Sequence, residues 1–233
     1  MKMLEIKGLH AYYGESEVLH DVDLSIPDGK IVALVGRNGV GKSTTLKSIM
    51  GLMEKQSGSM LLQREEIQRK APYERARMGI GYVPQGRDIF PQMTVAENLR
   101  LGLEVCGGVK KDPAFLYQLF PIVEQFLARK GGDLSGGQQQ QLAIARALIA
   151  SPKLMLLDEP TEGIQPSVIQ EIGHAIRTIN EKTGLSILLV EQYLDFALDL
   201  ADECYVMDKG RIVFHAASAE VRKEEIQHYM MAS

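Results

Sequence analysis

Tryptophan is absent, and cysteine occurs only twice, at Cys106 and Cys204. Two cysteines so far apart, in no ligand-like spacing, argue against a disulfide framework and point to a reducing compartment. Long apolar runs are missing as well. The longest, such as Ile31–Val35 and Ile187–Val190, are strand-sized, far below the roughly 20 residues that a membrane helix needs. Met1 to Glu5 lacks the charged-then-apolar pattern of a signal peptide, so the expectation is a chain that spans no membrane. Excess positive charge is lacking too. With 26 Lys and Arg against 30 Asp and Glu, the formal charge is −4, which argues against a broad grip on nucleic acid. No internal repeat or low-complexity tract appears.

What is present is an ordinary globular composition: 233 residues, 45% hydrophobic and 24% charged, enough for one α/β domain with a full core. Apolar bursts at Ile31–Val35, Ile80–Val83, Leu154–Leu157, Ile187–Val190, Tyr205–Met207 and Ile212–Phe214 read as strands. Helical spacing joins Leu46, Ile49, Met50 and Met53. It recurs at Leu142, Ala145, Leu148 and Ile149, and again at Val168, Ile169, Ile172, Ile176 and Ile179. This alternation predicts a mostly parallel sheet with covered faces. From about Arg87 to Ala150 strand signals fade, so that stretch reads as a helical insertion, with 1–86 and 151–233 forming the core of a single domain. Asp208-Lys209-Gly210 between two β-like runs predicts a hairpin.

Ile31–Val35 runs directly into Gly36-Arg37-Asn38-Gly39-Val40-Gly41-Lys42-Ser43-Thr44, which fits G-x-x-x-x-G-K-[ST] with a strand before it and a helix after it. Glycines let the backbone turn tightly, so that successive N–H groups converge on phosphate oxygens at a helix start. Lys42 would bring a cation to the β- and γ-phosphates of ATP, and Ser43 a hydroxyl ligand for Mg²⁺. Downstream, Leu154–Leu157 ends in Asp158-Glu159. Alternation along a strand sends the two carboxylates in different directions. Asp158 can thus serve Mg²⁺ while Glu159 faces the attacking water as general base. Between these motifs, Ser135-Gly136-Gly137-Gln138 opens another helical run and offers a second anion site.

These motifs, in this order, resemble the ABC ATPases over essentially the whole chain, with Leu134 to Gln138 matching the family's signature. The resemblance implies a P-loop α/β core, an antiparallel β portion at the N-terminus and an inserted helical sub-domain that docks on pore subunits. It implies that Tyr13 stacks on adenine and that Gln85 is a Mg²⁺ ligand. It also implies that each signature closes over the nucleotide held by a partner's P-loop, at the cytoplasmic face of a membrane.

Two places depart from the family pattern. Gln192 stands where many members carry a histidine against the γ-phosphate; it can donate a hydrogen bond but cannot titrate near neutral pH. Gln165 stands where an aspartate is usual. Glu191-Gln192 and Glu162 to Ser167 resemble the second ATPase of branched-chain amino acid and urea uptake systems, with the wording closest to the urea arm. That implies a different but related ATPase as mate, two pore proteins, a periplasmic binding protein, and urea or a short amide as the solute. Branched-chain amino acids are the alternative solute, and a mainly regulatory nucleotide subunit is the alternative role.

Overall fold

The protein is described from a computed structural model over residues 1–108 and 112–231. In chain order the elements are β1 (Lys2–Tyr13), β2 (Ser16–Pro27), β3 (Ile31–Val35), α1 (Lys42–Met50), β4 (Lys55–Leu62), β5 (Glu65–Glu66), α2 (Pro72–Arg77) and β6 (Ile80–Val83). Helices follow: α3 (Val95–Gly102), α4 (Ala114–Leu119), α5 (Pro121–Gln125) and α6 (Gly136–Leu148). The chain then alternates through β7 (Leu154–Asp158), α7 (Pro166–Thr183), β8 (Ser186–Glu191), α8 (Leu194–Leu200), β9 (Glu203–Asp208), β10 (Arg211–Ala217) and α9 (Lys223–Met231).

Among the described residues these strands form two sheets. One runs β10-β9-β3-β8-β7-β6, parallel except where β10 returns antiparallel on β9. The other is antiparallel, in the order β2-β1-β4-β5. Alternation along β3 explains the layering. Ile31, Ala33 and Val35 face a core shared with α6, α7 and α8, while Val32 and Leu34 face a core shared with the antiparallel sheet and α1. A strand with no solvent side must be apolar throughout, and β3 is buried at every position.

The strand expectations hold, and Lys209 and Gly210, both at positive φ, make the expected turn between β9 and β10. One helical stripe runs too far. Gly51, at φ 74°, caps α1 after Met50, so Met53 is buried outside the helix rather than on its face. The carbonyls at that helix end meet Arg75, which is 1% exposed. Its guanidinium donates to Ser48 O and Ile49 O, both at 2.8 Å, and to the carbonyls of Gln68 and Lys70. A buried cation thus closes the helix whose start faces the site. Cys204 is buried and unpaired, its thiol pushed up to about 12 by burial, whereas the Cys106 side chain lies outside the described residues. No helix among the described residues is long and apolar enough to cross a membrane.

Candidate nucleotide site

Parallel strands deliver their loops to one edge of the sheet. Gly36 follows β3, Gln85 follows β6, Glu159 follows β7 and Gln192 follows β8. Because β8 lies between β3 and β7, the loop after β3 and the two acids face each other across one strand's width. Such crevices at the carboxyl ends of strands are where open α/β sheets bind ligands.

The glycines of the loop are required by both conformation and space. Gly41 has φ 114°, and a Cβ on it would meet Leu19 Cδ2 at 2.7 Å; one on Gly36 would meet the Met207 carbonyl oxygen at 2.5 Å. Val40 turns its side chain into the core while its carbonyl accepts from Gly210 N at 2.8 Å, so it serves the loop by anchoring it. With Gly41 at the cap, α1 has no capping side chain of its own for its first amides, an arrangement that suits an anion.

Lys42 is 4% exposed. Its ammonium donates to Gly36 O at 2.8 Å and Arg37 O at 2.9 Å, and pairs with Glu159 Oε1 at 3.0 Å. A carboxylate therefore sits in the anion position of the cradle, which is what a phosphate-binding lysine should attract. Glu159 itself has φ 47°, a left-handed conformation that a non-glycine residue keeps only when its surroundings impose it. The imposing contact is Glu159 N to Val190 O at 2.9 Å, which hangs the turn on the end of β8.

Ser43 Oγ donates to Asp158 Oδ1 at 2.9 Å, and Tyr82 OH reaches Asp158 Oδ2 at 3.5 Å. Burial raises the Asp158 carboxyl above its ordinary range, the Ser43 hydrogen bond opposing the shift and the neighbouring Glu159 charge adding to it. The hydroxyl and carboxylate are hard oxygen donors of the kind Mg²⁺ selects, and a dication would offset the cost of burying the charge. The residues fit the ion. When bound it would polarise the phosphates; Ser43 and Asp158 would hold it, and the Gln85 amide lies close by. Gln85 Nε2 donates to Glu162 Oε2 at 2.9 Å and reaches Glu159 Oε2 at 3.4 Å.

A cleft of about 410 Å³ joins Lys42, Ser43 and Glu159, with Tyr13, Asn38, Gly39, Thr44 and Gln85 among its other walls. Tyr13 ends β1 half exposed at its mouth, where a flat base could stack. Gln192 is not on that wall. It lines a neighbouring cleft of about 270 Å³ that shares Glu159.

A family model described as an ABC transporter matches residues 19–162. The chain belongs to the ABC transporter ATP-binding family. It is similar to the high-affinity branched-chain amino acid transport ATP-binding protein BraG of Pseudomonas aeruginosa, 40% identical over 93% of this chain and 94% of the relative. It is similar also to the probable branched-chain amino acid transport ATP-binding protein LivF of Archaeoglobus fulgidus, 39% identical over 96% and 95%. Among solved structures it resembles a dimeric post-hydrolysis state of the cassette MJ0796 bound to ADP and Pi. That match has a TM-score of 0.81 and 25% identity, covering 93% of this chain and 99% of the other. The expected P-loop α/β architecture and the ATPase assignment stand on this ground.

The signature of this ABC ATPase is apart from the cleft. Ser135 to Gln138 do not line it; they open α6, where Ser135 N donates to Gln138 Oε1 at 2.9 Å and Ser135 Oγ accepts from Gln138 N at 3.4 Å. Gly137 packs so tightly on α7 that a Cβ would meet Val168 Cγ1 at 2.7 Å. Gln165 caps α7 ahead of Pro166 without a side-chain bond. Sequence reasoning passed over two carboxylates, Glu162 as the partner of Gln85 and Glu191 as a buried hub between loops. An acid beside a glycine or a glutamine carries no periodic signal, so nothing in the sequence marked either.

Proposed function

We propose that this chain binds Mg²⁺-ATP and hydrolyses it within an importer of branched-chain amino acids. The observation that carries the catalytic part is that Lys42, Ser43 and Glu159 line one cleft at one sheet edge, with Asp158 hydrogen-bonded to Ser43. Lys42 would leave Glu159 for the phosphates, which frees that carboxylate to accept a proton from the attacking water. Tyr13 would hold the base, and Ser135 to Gln138, which lie outside the cleft of their own chain, would meet the nucleotide of a second ATPase subunit. The dimeric solved relative supports such a pairing; whether the mate is a copy or a related chain, the same two helix ends would share one nucleotide.

For the solute, the names of the two relatives described above favour branched-chain amino acids. The urea reading, placed first on the loop wording of Glu162 to Ser167, has no comparable support. A docking place for a pore subunit is suggested by a groove of about 740 Å³ at the seam between the core and the helical stretch, which we read as the sub-domain of about 87–150. Met50, Met78, Leu101 and Val105 line it, and Phe90, 46% exposed, lies under the Arg146 guanidinium. Docked there, the chain would sit peripherally, and we place it at the cytoplasmic face of the membrane.

The test is the complete complex in proteoliposomes with labelled leucine and labelled urea. Glu159→Gln should lower steady-state hydrolysis by roughly 10²- to 10⁴-fold while Mg²⁺-ATP still binds. Leucine uptake should be lost with it. Undiminished turnover would remove Glu159 from its role, and ATP-dependent urea uptake would reassign the solute.

A further inference from the structure

Glu191 ends β8 only 2% exposed, and its carboxylate is met by neutral donors alone among the contacts described here. Oε1 accepts from Thr161 N at 3.2 Å and from Thr161 Oγ1 at 2.9 Å. Oε2 accepts from Gln192 N at 3.1 Å and from Tyr193 N at 3.3 Å. Each oxygen therefore serves a different loop, one following the catalytic carboxylate and one carrying Gln192. Both loops wall the smaller cleft, in which Glu159, Thr161 and Gln192 face a common space.

We infer that Glu191 is a positioning residue that locks Thr161 and Gln192 into one unit beside Glu159, so that the groups flanking the attacking water move together. The inference rests on the hydrolytic reading of Glu159 given above. An ionised carboxylate suits this place because it is acceptor-only, with room for four donors. An amide would turn an NH₂ group toward N–H donors at one oxygen or the other, freeing one of the loops. Backbone contacts run the same way. Glu159 N bonds to Val190 O at 2.9 Å and Glu162 N to Glu159 O at 3.1 Å, so the whole turn hangs from the end of β8. Burial raises the Glu191 carboxyl above its ordinary range, and its hydrogen bonds to Thr161, Tyr193 and Gln192 oppose that shift.

The arrangement also bears on the neutral residue at 192. A glutamine cannot find the γ-phosphate by charge, so its contact depends on being placed. With its own N–H and that of Tyr193 both on Glu191, the peptide carrying its side chain is fixed before a nucleotide arrives.

The experiment uses the assembled complex. Glu191→Gln should lower kcat for ATP hydrolysis by roughly 10- to 100-fold and leave KM and Mg²⁺-ATP affinity within about 2-fold, because misplacing reacting groups costs rate rather than ground-state binding. Gln192→Ala should lower kcat on its own, and Glu191→Gln added to it should cost less than about 2-fold more, as residues acting through one another are not additive. Thr161→Val, a smaller lesion that keeps the side chain's shape, should lower kcat by about 3-fold with KM unchanged. It carries the test if Glu191→Gln does not fold. Wild-type kcat in the variants, a raised KM as the main effect, or full additivity with Gln192→Ala would overturn the inference. A wild-type complex that binds Mg²⁺-ATP yet turns none over would instead sink the hydrolytic reading beneath it.

Discussion

Helices α1 and α6 both begin at glycine-containing turns, and both starts were candidates for phosphate from sequence alone, yet the structure finishes them differently. At α1 no side chain caps the first turn, the loop is braced by close contacts at Gly36 and Gly41, and Lys42 reaches an acid across the cleft. At α6 the Ser135 and Gln138 amides are met locally by a reciprocal pair of side chains. An uncapped start inside a built cleft is a site waiting for its ligand. A self-capped start on an open surface can stand alone until something comes to it. On the reading proposed above, the contrast would let one chain carry both halves of a site and complete neither.

The largest effect should come from the uncapped start. Lys42→Met keeps the stem of the side chain and removes its charge. Hydrogen bonds to charged groups contribute about 1.5–3 kcal/mol, so Mg²⁺-ATP affinity of the isolated chain should fall roughly 10- to 100-fold by calorimetric titration. Unchanged affinity would mean that α1 is no more a phosphate cradle than any other helix start.

A smaller and divided effect is expected at the self-capped start. Ser135→Ala removes a weak cap, which costs about 0.5 kcal/mol in thermal unfolding. ATP affinity of the isolated chain should not change, because Ser135 is outside its cleft. Turnover of the assembled pair should fall, because there the hydroxyl would leave Gln138 for the partner's nucleotide. The existing bond, at 3.4 Å, is long and weak, so little opposes the exchange. Weakened ATP binding by the isolated chain would erase the distinction between the two starts.

What was legible in the sequence follows the same line. Gly36 to Thr44 could be read because φ, space and charge all constrain it locally. The parallel strands could be read because burial on both faces makes them apolar throughout, as at Ile31–Val35. The long strands β1, β2 and β4 gave no burst to read. Register shifts interrupt the pairing of β1 with β2 between Ile6 and Leu9 and again between Leu9 and Ala11, and Gly8 and Asp21 sit at positive φ, so alternation is broken along β1 and in β2 holds only over Val22, Leu24 and Ile26. Nothing in the sequence singled out Arg75, although its guanidinium closes α1. Glu191 and Glu162 act across 30 and 77 positions of sequence, on Thr161 and Gln85 respectively, and a contact of that reach leaves no local pattern. The cradle, in short, is written locally, whereas the residues that aim its chemistry are set by tertiary contact.

The smallest effect concerns a third helix start, at α3, which is capped by a box with an ionisable member. Thr94 N donates to Glu97 Oε2 at 2.7 Å, Thr94 Oγ1 donates to the same oxygen at 2.9 Å, and Glu97 N returns a bond to Thr94 Oγ1 at 3.2 Å. The bond from the Thr94 backbone, and after it the one from its hydroxyl, hold the Glu97 carboxyl below its ordinary value. A carboxylate whose folded pKa is depressed stabilises the protein above its unfolded pKa, and that contribution disappears as pH falls through the folded value. Glu97→Gln keeps an acceptor but not the charge, so it should lower Tm slightly near neutral pH. The gap from wild type should close as the solution is acidified past the ordinary glutamate range. α6 already carries the neutral version of this box, with Gln138 in the acid's place, and should show no such acid limb. A gap that persists unchanged at low pH would show that the α3 cap owes nothing to ionisation, and would leave the two boxes equivalent.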